Sequence, residues 1–254
     1  LEPTPWHFDT RHVGRRAFAY ESVASTNDVA AELASDPAND GIVVVAGFQT
    51  AGRGQYGRIW ESRPGVAVLM SVLLFPPPEL RRAVIMTAWA AVGVAAAIRE
   101  LAGVEARIKW PNDVFISGKK VCGILIEQKT GVVAGMGLNL NQTADDFAAA
   151  GLPDATSLAL VSGQPFESRA ATAAVIQCLD AEYSRLVTGD LLTLETAWKR
   201  RIGLVGQLVS CDLHDGTAVV GRLRDMSFDG LEIETDSPVA RVVKPEVVRH
   251  IRAV

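Results

Sequence analysis

The hydrophobic pattern of this chain changes period several times. Residues 24–34, ASTNDVAAELA, read as a helix that opens on Ser25 as N-cap with Asp28 in the first turn. Residues 41–48 and 65–75 are apolar runs of strand length, and the second gives way to a proline turn at 76–78. An alanine-rich helix follows over 79–101. Four strands are then expected at 106–110, 112–116, 120–127 and 131–139, separated by Pro111, by Ser117-Gly118 and by residues 129–131. Such short connections favour antiparallel neighbours over crossover helices. Helices are expected at 168–187 and 190–201. Beyond Gly203 the alternation is short and regular, giving four or five strands with turns at Asp215-Gly216, Asp229-Gly230 and Ser237-Pro238. The pattern predicts an α+β layered domain over residues 1–202 and a small β-barrel over 203–254.

Composition narrows the possibilities. At 254 residues, 48% hydrophobic and 21% charged, the chain is long enough for one large domain and one small one. A net charge of -4 argues against a nucleic-acid partner. Cys122, Cys178 and Cys211 are far apart and odd in number, which fits a reducing compartment and small core residues. The longest apolar stretches meet Arg, Pro or Gly before membrane-spanning length, so no span is expected. The opening LEPTPWHFDTRHVGRR lacks a signal-peptide pattern, and His7, His12, His214 and His250 lack metal-ligand spacing.

Candidate chemistry concentrates in three stretches. GRGQYGRIW at 52–60 places three glycines and the cations Arg53 and Arg58 in one loop, suited to closing over a phosphate. The loop also satisfies G-x-G-x-x-G, but a β-rich segment containing Pro64 follows it where a dinucleotide fold needs a helix. Kinase signatures are missing as well. In RIKWPND at 107–113, alternation puts Arg107 and Lys109 on one face and Ile108 and Trp110 on the other, with Asn112 and Asp113 at the tip. Lys120 leads the next strand, in which Gly123 permits close approach, so that Lys109 and Lys120 can meet one anion. GMGLN at 135–139 ends another strand on Asn139, an amide able to read an adenine edge or simply to form a turn.

Together STN at 25–27, QTAGRGQYGRIW at 49–60, KWPND at 109–113, KKVCGILIE at 119–127 and GMGLN at 135–139 resemble biotin protein ligase, in order and in spacing. The resemblance covers nearly the whole chain. It implies a catalytic domain like that of class II aminoacyl-tRNA synthetases and biotin synthetases, followed by an SH3-like barrel. It implies activation of biotin by Mg-ATP to biotinoyl-5′-AMP, then transfer to one lysine of a biotin carboxyl carrier protein. Ser25, Thr26, Asn27 and Gln49 would hold the ureido ring. Gly52, Arg53, Gly54 and Gln55 would close over biotin and adenylate, with Gly123 beneath. Lys120 would contact the biotin carboxylate and α-phosphate, and Lys109 and Arg58 the phosphates. Trp60, Asn112 and Asn139 would lie at the nucleotide. The catalytic set is Lys120, Arg53 and Lys109; Mg²⁺ ligands are unassigned. A cytoplasmic enzyme is expected, with no membrane contact, and the family pattern allows a homodimer.

Two departures stand out. Gln55 and Tyr56 occupy positions where the family loop commonly carries a further basic residue, which removes one cation over the adenylate. No helix-turn-helix pattern fits residues 1–24, so a repressor role is not expected of this chain. The alternatives are a lipoate or octanoate ligase or transferase of the same fold, and a non-catalytic biotin-binding regulator. Retention of Arg53, Lys109 and Lys120 speaks against the second, because biotin alone needs no phosphate-facing cations.

Overall fold

The computed structural model describes residues 2–237 and 239–254. Its framework is an eight-stranded mixed sheet. The first strands are β1 (Thr4–Trp6) and β2 (Ala17–Val23), joined through helix α1 (Thr26–Leu33) to β3 (Val43–Gln49), with which β2 pairs in parallel. β4 (Ala67–Leu74) then leads to helix α2 (Ala83–Ala102). β5 (Arg107–Lys109), β6 (Asp113–Ile116), β7 (Lys119–Gln128) and β8 (Val132–Asn139) follow as antiparallel neighbours. The sheet order is β1-β2-β3-β4-β8-β7-β6-β5.

β4 and β8 lie at the centre and are buried along their whole length, which is why AVLMSVLL and VVAGMGLN show no outward polar alternation. α1 packs on β3, β4 and β8 from one side, where Ala30, Ile42, Val44, Leu73 and Val133 share a core. On the other side α2 is wedged among β6, β7, β8 and helix α5, introduced below. Wedging explains an apolar helix with no polar face. At Gly93 an added Cβ would meet a Leu179 side-chain carbon at 2.7 Å, and Trp89 Nε1 donates to the Leu179 carbonyl at 3.0 Å.

The remaining elements are α3 (Ala144–Ala149), α4 (Leu158–Ser162), α5 (Ser168–Val187) and α6 (Leu191–Ile202). After Gly203, whose φ of 69° ends α6, the strands β9 (Leu208–Leu213), β10 (Ala218–Met226), β11 (Leu231–Glu234), β12 (Arg241–Val243) and β13 (Val248–Ala253) form a five-stranded antiparallel sheet. Trp198 of α6 seals it to the larger sheet, its ring 5.7 Å from Trp110 and 5.1 Å from Phe228 between centroids.

The α+β expectation holds, as does the antiparallel run from 106 to 139. Several elements differ from the sequence reading. β1 and β2 were not expected, because their half-exposed positions mix Pro, Glu and Tyr into a short pattern. α3 and α4, of six and five residues, are too short to show a period. α2 is long and apolar enough to cross a membrane by length and composition, contrary to the expectation of no such stretch, but the fold buries it as a core helix. The turn expected at Ser237-Pro238 falls partly on Pro238, outside the described residues.

Candidate active site

Ser25 stands at the N-cap of α1 with extended backbone, but its hydroxyl makes no capping bond. The glutamine at the end of β3 takes over: Gln49 Oε1 accepts from Thr26 N at 2.7 Å and from Thr26 Oγ1 at 3.0 Å. Ser71 Oγ lies 2.7 Å from Thr26 Oγ1 and 2.6 Å from Asn27 Oδ1. Asn27 Nδ2 donates to Glu127 Oε2 at 2.6 Å. Thus Thr26 and Asn27 at a helix N-terminus are held in fixed orientation by β3, β4 and β7, and with Ser25 each is only 3–4% exposed. Preset polar groups of this kind suit a neutral ring with N–H and C=O edges.

The glycine loop folds as a small hairpin. Arg53 bridges Ile59, Gly54 N donates to the Arg58 carbonyl at 2.7 Å, and Trp60 N donates to the Gly52 carbonyl at 3.0 Å. Arg53 reaches back to α1 and grips Asp28 through two bonds of 2.7 Å, with Glu127 at 3.3 Å. The Arg53 proton is held more tightly than usual, chiefly by the Asp28 hydrogen bond, and Asp28 is pulled below the ordinary carboxylate range by the same contact.

The floor of the site is a glycine pair. Gly123 of β7 sits opposite Gly137 of β8, and the Trp60 indole lies across both. An added Cβ would meet Trp60 carbons at 2.9 Å from Gly123 and 2.5 Å from Gly137, while at Gly135 it would meet Asn27 Oδ1 at 2.1 Å. Trp60 Nε1 is buried without a hydrogen-bond partner among the described residues. Lys120 Nζ stands 5.6 Å above the Trp60 ring and 2.6 Å from Asp113 Oδ1. Lys109 Nζ lies 5.0 Å over the Phe115 ring. RIK alternates as expected, with Ile108 buried and Arg107 and Lys109 outward. Lys109 and Lys120 are not on adjacent strands, however, since β6 runs between β5 and β7.

Most of these groups line one cleft of about 1180 Å³, while Asp28, Ser71 and Glu127 do not reach its lining. It is lined by Ser25, Thr26, Asn27, Gln49, Arg53, Gly54, Gln55, Arg58, Trp60, Lys109, Asn112, Lys120, Gly123 and Asn139. Gly52 lies behind it, because its missing Cβ lets the Trp60 carbonyl approach; a Cβ there would be 2.3 Å from that oxygen. Asn112 Nδ2 donates to the Ile124 carbonyl at 2.5 Å. Asn139 is buried and engaged at both ends, donating to the Thr156 carbonyl and accepting from Gln142 Nε2. Its amide braces the cleft wall rather than standing free for a base edge. Residues of the segment after β8, among them Phe147 and Leu152, also line the cleft.

Three residues escaped the sequence reading. Ser71 was signalled as the one hydroxyl in an apolar strand, and Glu127 as the acid ending KKVCGILIE. Asp28 carried no signal beyond its first-turn position. Cys122 underlies the site but is fully buried, its thiol pushed up to about 12 by desolvation, so it offers no nucleophile. No cluster of three His, Cys, Asp or Glu fit for a metal ion occurs among the described residues. In the C-terminal sheet, His250 is held below its ordinary value first by burial and then by Arg249, Arg58 and Lys109, with Asp212 opposing.

Comparison with known proteins gives consistent matches. The profile of the Biotin/lipoate A/B protein ligase family matches residues 19–140. A bifunctional ligase/repressor BirA of Bacillus spizizenii is 31% identical over 245 residues, covering 94% of this chain and 75% of that protein. A biotin--[acetyl-CoA-carboxylase] ligase of Mycobacterium tuberculosis is 33% identical over 221 residues, covering 81% and 78%. Among solved structures, a biotin protein ligase from Aquifex aeolicus in complex with biotin and ATP shares the fold, with a TM-score of 0.78 at 23% identity over 94% of this chain and 99% of that one.

Proposed function

Since this chain belongs to the biotin/lipoate A/B protein ligase family, we propose that it joins biotin to a protein lysine at the expense of ATP, through biotinoyl-5′-AMP. One observation carries the reading. Along a single glycine floor, the polar set of Thr26, Asn27 and Gln49, braced from behind by the buried Ser71, gives way to the Trp60 indole and Lys120. A polar ring socket, a flat aromatic surface and a cation are the partners that the ring, the adenine and the phosphate of an acyl-adenylate need.

In the first step a biotin carboxylate oxygen bonds to the α-phosphorus of ATP as the bond to pyrophosphate breaks. Both reactants are anionic, so the protein's task is to align them and neutralise charge. Lys120 would sit at the carboxylate and α-phosphate, exchanging Asp113 for the ligand, and Lys109 and Arg58 at the departing phosphates. Arg53 would cover the adenylate from the loop. Magnesium bound with the triphosphate would supply charge neutralisation there, and Asp113 is an acid of the cleft lining that would meet it. In the second step the neutral amine of an acceptor lysine attacks the acyl carbonyl, the amine proton is lost, and AMP leaves into the same cationic pocket. No protein nucleophile is needed, in keeping with three buried cysteines.

The acceptor we assign is one lysine of a biotin carboxyl carrier domain. We place the activity in the cytoplasm, supported by three mutually distant free thiols. Incubation with ATP, biotin and a carrier domain should add one biotin to the carrier by mass spectrometry, and Lys120→Ala should abolish the addition. Preferential transfer of lipoate or octanoate in competition would overturn the assignment of biotin.

A further inference from the structure

Tyr56 is the unusual residue of the glycine loop. It sits at the hairpin tip with φ 60° and ψ 35°, a left-handed conformation that bulky residues rarely adopt unless their surroundings impose it. Its ring is half exposed, so burial does not hold it there. What it meets belongs to the C-terminal sheet. The His214 ring lies 6.2 Å away between centroids, and the Arg249 guanidinium carbon lies 5.8 Å from the Tyr56 centroid.

Both partners are themselves anchored. His214 N donates to the Val247 carbonyl at 3.0 Å, tying its turn to the start of β13. One residue before Arg249, the Val248 carbonyl accepts from Trp110 Nε1 at 3.1 Å, tying β13 to the end of the strand that carries Lys109. A rigid edge therefore faces the tip of a hairpin whose root carries Arg53 and Trp60.

We propose that Tyr56 is a latch residue, fastened by His214 and Arg249 of the C-terminal sheet, and that this contact positions the glycine loop and sets how long the loop keeps the acyl-adenylate covered. The proposal rests on the reading given above and extends it to residues outside the cleft. Arg249 supplies a cation to the Tyr56 ring from outside the loop. Holding the tip restrains the root, and a restrained root keeps water from the mixed anhydride.

Two readouts test the latch. The first is release of preformed biotinoyl-5′-AMP from the protein. One exposed cation–aromatic contact corresponds to about a two- to fivefold change in rate, so Tyr56→Ala and Arg249→Ala should each speed release by that factor. The double variant should release no faster than the quicker single one, because both remove the same contact. Tyr56→Phe should restore the wild-type rate. Tyr56→Gly separates the latch from backbone strain: it should release as fast as Tyr56→Ala, and slower release than wild type would overturn the proposal. The second readout needs no ligand. Trypsin should cut after Arg53 and Arg58 faster in Tyr56→Ala and Arg249→Ala than in wild type. Unchanged cleavage, or independent effects that multiply in the double variant, would overturn the latch. A wild-type protein that makes no adenylate would overturn the functional reading instead, and the trypsin comparison would still judge the latch.

Discussion

Trp60 rests on Gly137 with no room for a methyl group between them: a Cβ on Gly137 would stand 2.5 Å from one indole carbon and 2.8 Å from Nε1. The opposing Gly123 meets the same ring, so two strands were left bare beneath one side chain. Gly137→Ala should therefore displace the indole while leaving the polar socket around Thr26 intact. We expect adenylate formation to fall by about ten- to a hundredfold, since a misplacement near 1 Å carries a penalty of that order. Biotin affinity should change far less. Titration of biotin and ATP separately would show whether the loss is confined to the nucleotide side; equal loss of both would contradict this geometry.

The two-point ion pair between Arg53 and Asp28 closes the loop onto α1 before any ligand arrives. Asp28→Asn should leave Arg53 only its longer contact to Glu127 and increase hydrogen exchange of the amides at 52–60 in the ligand-free protein. The pH dependence follows from the sign of the shift. Asp28 is depressed below its ordinary value of 3.8, first by the Arg53 hydrogen bond, so the pair contributes fully above that value and is lost as pH falls through the depressed one. Loop protection should thus be flat from about pH 5 to 9 and decline only below about pH 4. A break near neutrality would assign the closure to another group.

Much of this site could be read from the chain, and the reason is local. GRGQYGRIW, RIKWPND and GMGLN each carry their chemistry within a few consecutive residues, and the resemblance of the ordered motifs, rather than spacing alone, implied that Arg53, Lys109, Lys120 and Trp60 share one site. What could not be read is long-range. Ser71 reaches Asn27 across 44 positions, and Glu127 reaches Asn27 across 100, through a sheet order that no local pattern encodes. Asn139 could be read as a base-reading amide or a turn residue, and its bracing role was hidden because its partners Thr156 and Gln142 lie in an irregular segment. Ser25 reads as a helix cap by residue type, yet Gln49 occupies the amide of Thr26 instead.

Cysteine chemistry should be silent in the folded protein. Burial pushes the thiols of Cys122 and Cys178 up to about 12 and that of Cys211 to about 11. Near pH 8 the thiolate fraction is then about one part in a thousand or less, and the thiolate is the reactive form. A disulfide-exchange reagent should leave the native protein unlabelled and modify all three cysteines in denaturant. Rapid labelling of Cys122 would mean that the sheet under Lys120 opens readily.

Trp198 joins the two sheets into one unit. Its ring, 1% exposed, lies between Trp110 at the end of β5 and Phe228 beside β11, and Trp110 in turn donates to Val248. Arg82 adds a second tie, binding Asp229, Glu246 and the Phe228 carbonyl from the start of α2. Removing a buried indole of this kind costs about 3–5 kcal/mol, because the cavity left behind cannot collapse fully. Trp198→Ala should lower the urea midpoint accordingly. If the sheets fold as one body through this contact, the wild-type transition is single and the variant splits it, with the five-stranded sheet melting first. A Trp198→Ala protein that unfolds in one unshifted transition would show that the Arg82 network alone holds the sheets together.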